Sequence, residues 1–304
     1  MGGGRRNCVL LVIIAAAMLV AGCAATPKGG NPSFALTVEE ARADLARMAK
    51  DPRPLRRPVV ILGGFADPGI GGLAVGTEIR KYLRDPQVVC VSFFFCDSFD
   101  GCRQKVIEAV DRAFPTDDPN QTVEVDVIGL SMGGLVGRYC AADFTAAEHR
   151  TSNIEHRMLS ASTTTTTTTT TTMMTSGNHR RLRVHSLFTC SSPHQGAVRA
   201  GAFPLLLRMQ GDMIGGSDFL RQLEEAEPCG GVGYELAPYV RLGDEVVGPP
   251  NAAPRGRVAW WVPNQPGQVA HIGAMTDPRI LADVIRRLRG ETPWTSEPPA
   301  PLPE

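Results

Sequence analysis

A serine between two glycines carries the clearest chemical signal in this sequence. Ser131 lies in the pattern Gly-x-Ser-x-Gly, after the β-branched run 123–128 and before the helix-like segment 135–143. A serine in a sharp strand-to-helix turn has unfavourable backbone angles, and Gly129 and Gly133 remove the side chains that would collide there. The helix N-terminus also directs free N–H groups toward a developing oxyanion. The pattern predicts that Ser131 is a nucleophile, the alternative being a glycine-rich turn without chemistry.

A serine nucleophile needs a base that takes its proton. The sequence has six histidines, and three of them lie in a polar insert that follows the serine segment. His185 falls inside a predicted strand, where packing is the expected role. His271 lies between the last predicted strand and the last predicted helix, in a connection at the sheet edge where Ser131 is expected. We predict that His271 is the base, with His194 as the alternative.

A third group has to hold the base in one tautomer, and a carboxylate serves this purpose. Asp244 ends a predicted strand and precedes His271 in the chain. The order Ser131, Asp244, His271 is one that serine triads on α/β sheets use. We therefore predict Asp244 as the acid. Glu245 and Asp277 remain alternatives, and a turn-forming role is the alternative for Asp244 itself.

Attack on a carbonyl creates an oxyanion that two backbone N–H groups have to stabilise. Met132 follows the serine directly and is predicted to supply one of them. The second is expected from the loop after the first core strand, which contains Gly63, Gly64 and Phe65. We assign it to the Phe65 N–H, with Gly64 as the alternative.

The segments that would position these residues alternate between apolar strands and helices. The strands are continuous apolar runs without polar alternation, which indicates a parallel sheet covered by helices on both faces. The predicted fold class is therefore α/β. Strand-like runs occur at 58–62, 88–93, 123–128, 184–190, 240–242 and 258–262.

The composition excludes several classes of partner. Because 31 basic residues balance 31 acidic ones, no nucleic-acid partner is expected. No spacing of cysteine and histidine resembles a zinc site, so neither a metal ion nor a cofactor is predicted. Cys96 and Cys102 are the closest pair for a single disulfide. Cys90, Cys140 and Cys190 lie in apolar stretches and are predicted to be small buried hydrophobes.

The N-terminal segment has the features of an export signal. Two arginines precede the apolar run 8–20, which is too short for a membrane span. The run leads to Leu-Val-Ala-Gly-Cys, which resembles a bacterial lipobox. Residues 1–22 are therefore predicted to be a signal peptide, and Cys23 to be lipidated and held in a membrane on the periplasmic or cell-surface side. Cleavage near Ala25 as an ordinary secretory signal is the alternative.

Composition also divides the rest of the chain. Residues 23–36 are predicted to be a flexible tether and residues 37–290 a single domain. An insert at about 145–181 contains ten consecutive threonines and cannot bury a core, so it is predicted to be disordered. Residues 291–304 are rich in proline and are predicted to be a frayed tail.

Four segments resemble those of α/β-hydrolase lipases and esterases. The resemblance implies an α/β-hydrolase fold, with a mostly parallel sheet, helices on both faces and a small helical cap. It also implies a serine hydrolase that acts through Ser131, Asp244 and His271. The four segments are 128–139 around the serine, 187–196 with Ser-Ser-Pro-His-Gln-Gly, 213–220, and 242–247.

The chain departs from that family at two places. Leu130 stands where the family has a histidine before the nucleophile, and Gly63-Gly64 replaces the His-Gly of the oxyanion loop.

The expected substrate is an acyl ester or lipid. An acyltransferase or thioesterase with the same triad and a non-catalytic lipid-binding lipoprotein are the alternative functions. An apolar cap that suits acyl chains would contain Phe203, Leu206, Met213 and Phe219, and simple packing of these side chains on the sheet is the alternative, which we favour for most of them.

The lipidation of Cys23 can be tested by substitution. Cys23→Ser is expected to release the protein from the membrane fraction, because serine offers no thiol for the lipid. Any ester hydrolysis by the protein is expected to continue in the soluble fraction. Fractionation of cells that express each form, followed by immunoblotting, measures the change. Unchanged membrane association of Cys23→Ser would contradict the prediction.

Overall fold

The computed structural model of the protein describes residues 30–84, 86–144, 180–200, 208–226 and 233–303. Several predictions made above concern residues outside these ranges. They are the signal peptide, the lipidation of Cys23, the first part of the tether, most of the threonine-rich insert, and the cap residues Phe203 and Leu206.

Eight strands occur within the described residues, and six of them form one sheet. The strands are β1 (Arg53–Pro54), β2 (Val59–Leu62), β3 (Leu83–Arg84), β4 (Val88–Val91), β5 (Gln121–Leu130), β6 (Arg181–Cys190), β7 (Glu235–Arg241) and β8 (Trp260–Val262). The six-stranded sheet has the order β4-β2-β5-β6-β7-β8, and every neighbouring pair in it is parallel. β1 and β3 form a separate parallel pair.

Helices connect these strands. They are α1 (Val38–Lys50), α2 (Ile70–Ile79), α3 (Phe99–Ala113), α4 (Met132–Ala141), α5 (Arg208–Asp212), α6 (Asp218–Glu225), α7 (Ala270–Met275) and α8 (Pro278–Arg289). Short 3₁₀ turns occur at Pro32–Phe34 and Pro249–Ala252.

The parallel α/β architecture predicted from the apolar runs is confirmed. All four residues of β2 and the last six of β5 are buried, as expected for strands covered on both faces. One apolar layer packs α1, α2 and α8 against one face of the sheet, and a second packs α3 and α4 against the other. β7 begins five residues earlier than the predicted run at 240–242.

Part of the predicted cap lies in the segment between β6 and β7, and this part packs against α3. Phe219 of α6 stacks on Phe99 of α3, with ring centroids 3.9 Å apart. Met213 is buried in the same apolar layer. These two predicted cap residues therefore contribute to packing between helices in the described part of the chain.

The prediction of a loose tether and a frayed tail is wrong for the parts of both segments that the structure describes. The Asn31 side chain donates a hydrogen bond to the Trp261 carbonyl, 2.8 Å away. The Ser296 N–H donates to the Ser33 carbonyl at 2.9 Å, so the two segments also contact each other. The Trp261 indole N–H lies 3.1 Å from the Ala300 carbonyl. These partners are distant in sequence, and composition alone does not reveal them.

The cysteines follow the prediction in part. Cys140 and Cys190 are buried, as predicted, whereas Cys90 is exposed because β4 is an edge strand of the sheet. Cys96 and Cys102 carry free thiols and form no disulfide. In the described ranges, no helix combines the length and apolar character that crossing a membrane requires.

Candidate active site

Ser131 occupies a strained turn between the end of β5 and the start of α4. Its backbone angles are φ 53° and ψ −122°, a conformation that costs a residue with a Cβ atom free energy. A Cβ on Gly129 would lie 2.5 Å from Gly134 Cα, and one on Gly133 would overlap the Leu62 carbonyl oxygen. The glycines are thus required because β5, α4 and β2 approach one another too closely for side chains.

His271 lies between Ser131 and Asp244 and contacts both. Its Nε2 is 3.1 Å from Ser131 Oγ, and its Nδ1 is 3.0 Å from Asp244 Oδ2. Because an ionised carboxylate only accepts hydrogen bonds, Nδ1 carries the proton of the neutral ring and donates it to Asp244. Nε2 then remains free to accept the Ser131 proton. The arrangement has the geometry that general-base activation of a serine requires.

The sheet brings these three residues together from distant parts of the chain. Ser131 follows β5, Asp244 follows β7, and His271 follows β8, so all three lie beyond the carboxyl ends of parallel strands. His271 was expected in a loop, but it lies in the first turn of the short helix α7. That helix places its ring above Asp244 with only 8% of the residue exposed.

The Asp244 carboxylate is ionised in spite of its burial. Burial raises the pKa of the Asp244 carboxyl, but the adjacent His271 ring and the hydrogen bond from the Val247 N–H outweigh that effect. The resulting pKa lies below the usual value of an aspartate. Asp244 Oδ1 accepts the Val246 and Val247 N–H groups at 3.0 and 3.1 Å. The backbone turn therefore fixes the carboxylate that orients His271.

The two alternative acids face other partners. Glu245 Oε2 lies 2.6 Å from Arg199 Nη2 at the surface. Asp277 is 1% exposed, and its Oδ2 lies 2.6 Å from Arg241 Nη2 and 2.7 Å from Arg279 Nη2. Within the described ranges, neither carboxylate forms a hydrogen bond or an ion pair with His271. Asp277 instead neutralises two arginines beneath the site.

His194, the alternative base, is buried, and both of its ring nitrogens form hydrogen bonds to residues other than Ser131. Arg138 Nη1 lies 3.1 Å from its Nδ1, and Thr189 Oγ1 lies 2.9 Å from its Nε2. A guanidinium can only donate, so Nδ1 accepts and Nε2–H donates to Thr189. Burial and the Arg138 charge hold the His194 pKa well below its usual value. The side chain joins α4 to the end of β6 as a neutral ring.

The loop of residues 63–65, predicted to supply the second oxyanion donor, passes directly beside Ser131. A Cβ on Gly64 would lie 3.5 Å from Ser131 Cβ. Phe65 follows in this loop, and Met132 is the first residue of α4. Neither the Phe65 N–H nor the Met132 N–H donates a hydrogen bond to another described residue. Both groups are therefore available to an oxygen bound near Ser131.

Two other features lie outside this group of residues. Across the part of the chain that the structure covers, no cluster of three histidine, cysteine, aspartate or glutamate side chains could hold a metal ion. A groove of about 520 Å³ lies between α1, α2 and α8, and Ser131, Asp244 and His271 do not line it.

No protein-family model and no curated protein sequence matches the chain. Among solved structures, phospholipase PlaB from Legionella pneumophila is similar, with a TM-score of 0.45 and 12% sequence identity. The alignment covers 77% of this chain and 59% of that protein, so the chain spans about three fifths of its length. The fold description therefore rests on the strands and helices of this chain.

The different surroundings of Asp277 and Glu245 lead to a stability prediction. Asp277→Ala is expected to lower the free energy of unfolding by about 3–5 kcal/mol at pH 7, because it leaves the buried Arg241 guanidinium without its carboxylate partner. Glu245→Ala is the matched control and is expected to cost at most about 1 kcal/mol, since its ion pair with Arg199 is partly exposed. Urea unfolding measures both values.

The contribution that Asp277 and its two arginines make to the free energy of unfolding depends on pH. Burial raises the pKa of Asp277, but the two arginines outweigh it and the pKa lies below its usual value. A lowered pKa contributes stability above the unfolded-state pKa of about 4, and that contribution is lost as the pH falls toward the folded-state pKa. The difference between wild type and Asp277→Ala should therefore shrink below about pH 4. Equal unfolding free energies at pH 7 would contradict the account.

Proposed function

We propose that this protein is a serine hydrolase that cleaves carboxylic esters through an acyl-enzyme on Ser131. One observation carries the proposal: Ser131 Oγ, the His271 ring and the Asp244 carboxylate form an unbroken chain of contacts at 3.1 and 3.0 Å. The strained backbone of the serine adds support, because such strain is retained where it serves a site.

In the first half of the reaction, Ser131 Oγ attacks the ester carbonyl carbon. His271 Nε2 takes the hydroxyl proton as the C–O bond forms, and the Asp244 carboxylate stabilises the resulting imidazolium. The carbonyl oxygen becomes an oxyanion, which the Phe65 and Met132 N–H groups stabilise. Collapse of this intermediate breaks the bond to the alcohol, and the alcohol leaves with the proton from His271.

The second half repeats these steps with water. His271 Nε2 takes a proton from a water molecule, and the hydroxide attacks the acyl carbon on Ser131. The same two N–H groups stabilise the second oxyanion. Collapse releases the carboxylic acid, and the proton returns from His271 to Ser131 Oγ. The enzyme is regenerated without a cofactor.

Exposed apolar side chains near the site favour an apolar acyl ester as the substrate. Ile272 directly follows His271 and is 41% exposed, and Ile70 and Leu73 of α2 are 71% and 61% exposed beyond the oxyanion loop. Ile70 and Leu73 are three residues apart on α2 and are therefore neighbours on its surface. Exposed apolar surface of this kind marks contact with an apolar partner. We therefore propose lipid-like esters as the substrate class.

We also propose that the hydrolase works outside the cytoplasm, anchored to a membrane through Cys23. The support is the lipobox-like sequence before that cysteine. An anchor of this kind would hold the enzyme close to its lipid substrate.

Substitution of the three residues tests the proposed mechanism. Ser131→Ala and His271→Ala should each lower kcat for a short p-nitrophenyl ester by about 10⁴–10⁶, and the double variant should be little worse because the residues act as a unit. Asp244→Asn should lower kcat by about 10⁴, because the imidazole is then held in the wrong tautomer. Initial rates at saturating ester measure these effects.

His185→Ala serves as the matched control for His271→Ala. The His185 side chain is 43% exposed and lies near Glu124, within the sheet strand β6. Its removal should leave kcat unchanged. Near-normal turnover of His271→Ala combined with loss of activity in His194→Ala would show that the base is assigned wrongly. An Asp244→Asn variant with wild-type kcat would show that the acid is assigned wrongly.

A further inference from the structure

The loop that carries Phe65 adopts a strained conformation. It connects β2 to α2 and includes Ala66, whose φ is +56° although alanine has a Cβ atom. Residues held in this left-handed region persist only where their surroundings over-determine them. Something other than the preference of the Ala66 backbone must therefore hold the loop against Ser131.

Asp67 supplies one restraint, on the side of α2. Its Oδ1 accepts the Gly69 N–H at 3.0 Å and the Gly71 N–H at 3.2 Å. These bonds tie the end of the loop to the first turn of α2. The negative carboxylate also lies where the positive end of the helix dipole favours it. The bonds hold Asp67 in one orientation, and through it the residues just before it.

Ser92 supplies a second restraint, on the side of β4. Its hydroxyl donates a hydrogen bond to the Asp67 carbonyl at 2.8 Å. Lys105 Nζ in turn donates to the Ser92 carbonyl at 2.6 Å, so Ser92 is itself held by α3. The Gly63 N–H extends the β2–β4 ladder by donating to the Val91 carbonyl at 2.9 Å. The loop is thus fixed at both its beginning and its end.

We propose that Asp67, together with Ser92, is a positioning residue that keeps the Phe65 N–H directed at the oxyanion. The inference rests on the proposed function, and it concerns two residues outside the Ser131, His271 and Asp244 group. Oxyanion stabilisation depends on donors that are oriented before the reaction begins. A Phe65 N–H that is free to turn away would be nearly as harmful as a missing donor.

Asp67→Ala removes the acceptor of both N–H groups and tests the proposal. It is expected to lower kcat for a short p-nitrophenyl ester by about 10²-fold, the effect of losing one oxyanion donor. KM should stay within about threefold, because the loop would act on the transition state and not on ester binding. Asp67→Asn retains an acceptor oxygen and should restore kcat to within about threefold of wild type.

Thr37→Ala separates the positioning effect from general destabilisation. Thr37 Oγ1 accepts the Glu40 N–H at 3.1 Å and caps α1, away from the proposed site. Its loss should lower the thermal midpoint, as Asp67→Ala does, and leave kcat unchanged. If Asp67→Ala does not fold, Ser92→Ala decides the matter. It removes the bond to the Asp67 carbonyl, together with a longer one at 3.4 Å from the Phe94 N–H, and leaves the Asp67 side chain intact. It should lower kcat by about tenfold without raising KM.

Three results would overturn the proposal. One is a folded Asp67→Ala with wild-type kcat, the second is an Asp67→Asn as impaired as Asp67→Ala, and the third is an unfolded Asp67→Ala together with a wild-type Ser92→Ala. Ser131→Ala is measured alongside these variants. If the wild type hydrolyses no ester, or if Ser131→Ala is as active as the wild type, the proposed function itself is contradicted. That outcome does not depend on the results for the Asp67 and Ser92 variants.

Discussion

The site depends on one strained turn, in which Ser131 is forced to a positive φ between a buried strand and the helix that follows it. β5 and α4 meet so closely that a side chain at Gly129 would overlap the helix backbone, and one at Gly133 would overlap the end of β2. The sheet and its two apolar layers supply the free energy that holds this turn. Because the sheet is parallel, the same edge also receives Asp244 and His271 from later strands.

Three acidic residues near that edge show how partners decide the role of a carboxylate. Asp244 and Asp277 are both buried and both have lowered pKa values, but a histidine and backbone N–H groups surround the first, and two arginines surround the second. Glu245 directly follows Asp244, yet it faces Arg199 at the surface. All three residues carry a carboxylate, so the residue type alone does not distinguish their roles. Only Asp244 is placed where it can orient an imidazole that contacts a serine hydroxyl.

Much of this arrangement could be predicted from the sequence, because its determinants are local. Apolar runs indicated the parallel sheet, and the glycines around Ser131 indicated the tight turn. Long-range packing could not be predicted: Asn31 and Ala300 are held by Trp261, and Cys90 is exposed because of the order of strands in the sheet. The bonds of Asp67 could not be predicted either, because a carboxylate that accepts nearby backbone N–H groups leaves no sequence motif.

Covalent labelling of the wild-type protein tests the central claim most directly. A fluorophosphonate reacts only with a serine that is activated by a base and faces an oxyanion-stabilising site. Mass spectrometry of a digest should find the phosphonyl group on the peptide with Ser131, and His271→Ala should react far more slowly. A wild-type protein that remains unlabelled, or one labelled at another serine, would contradict the account.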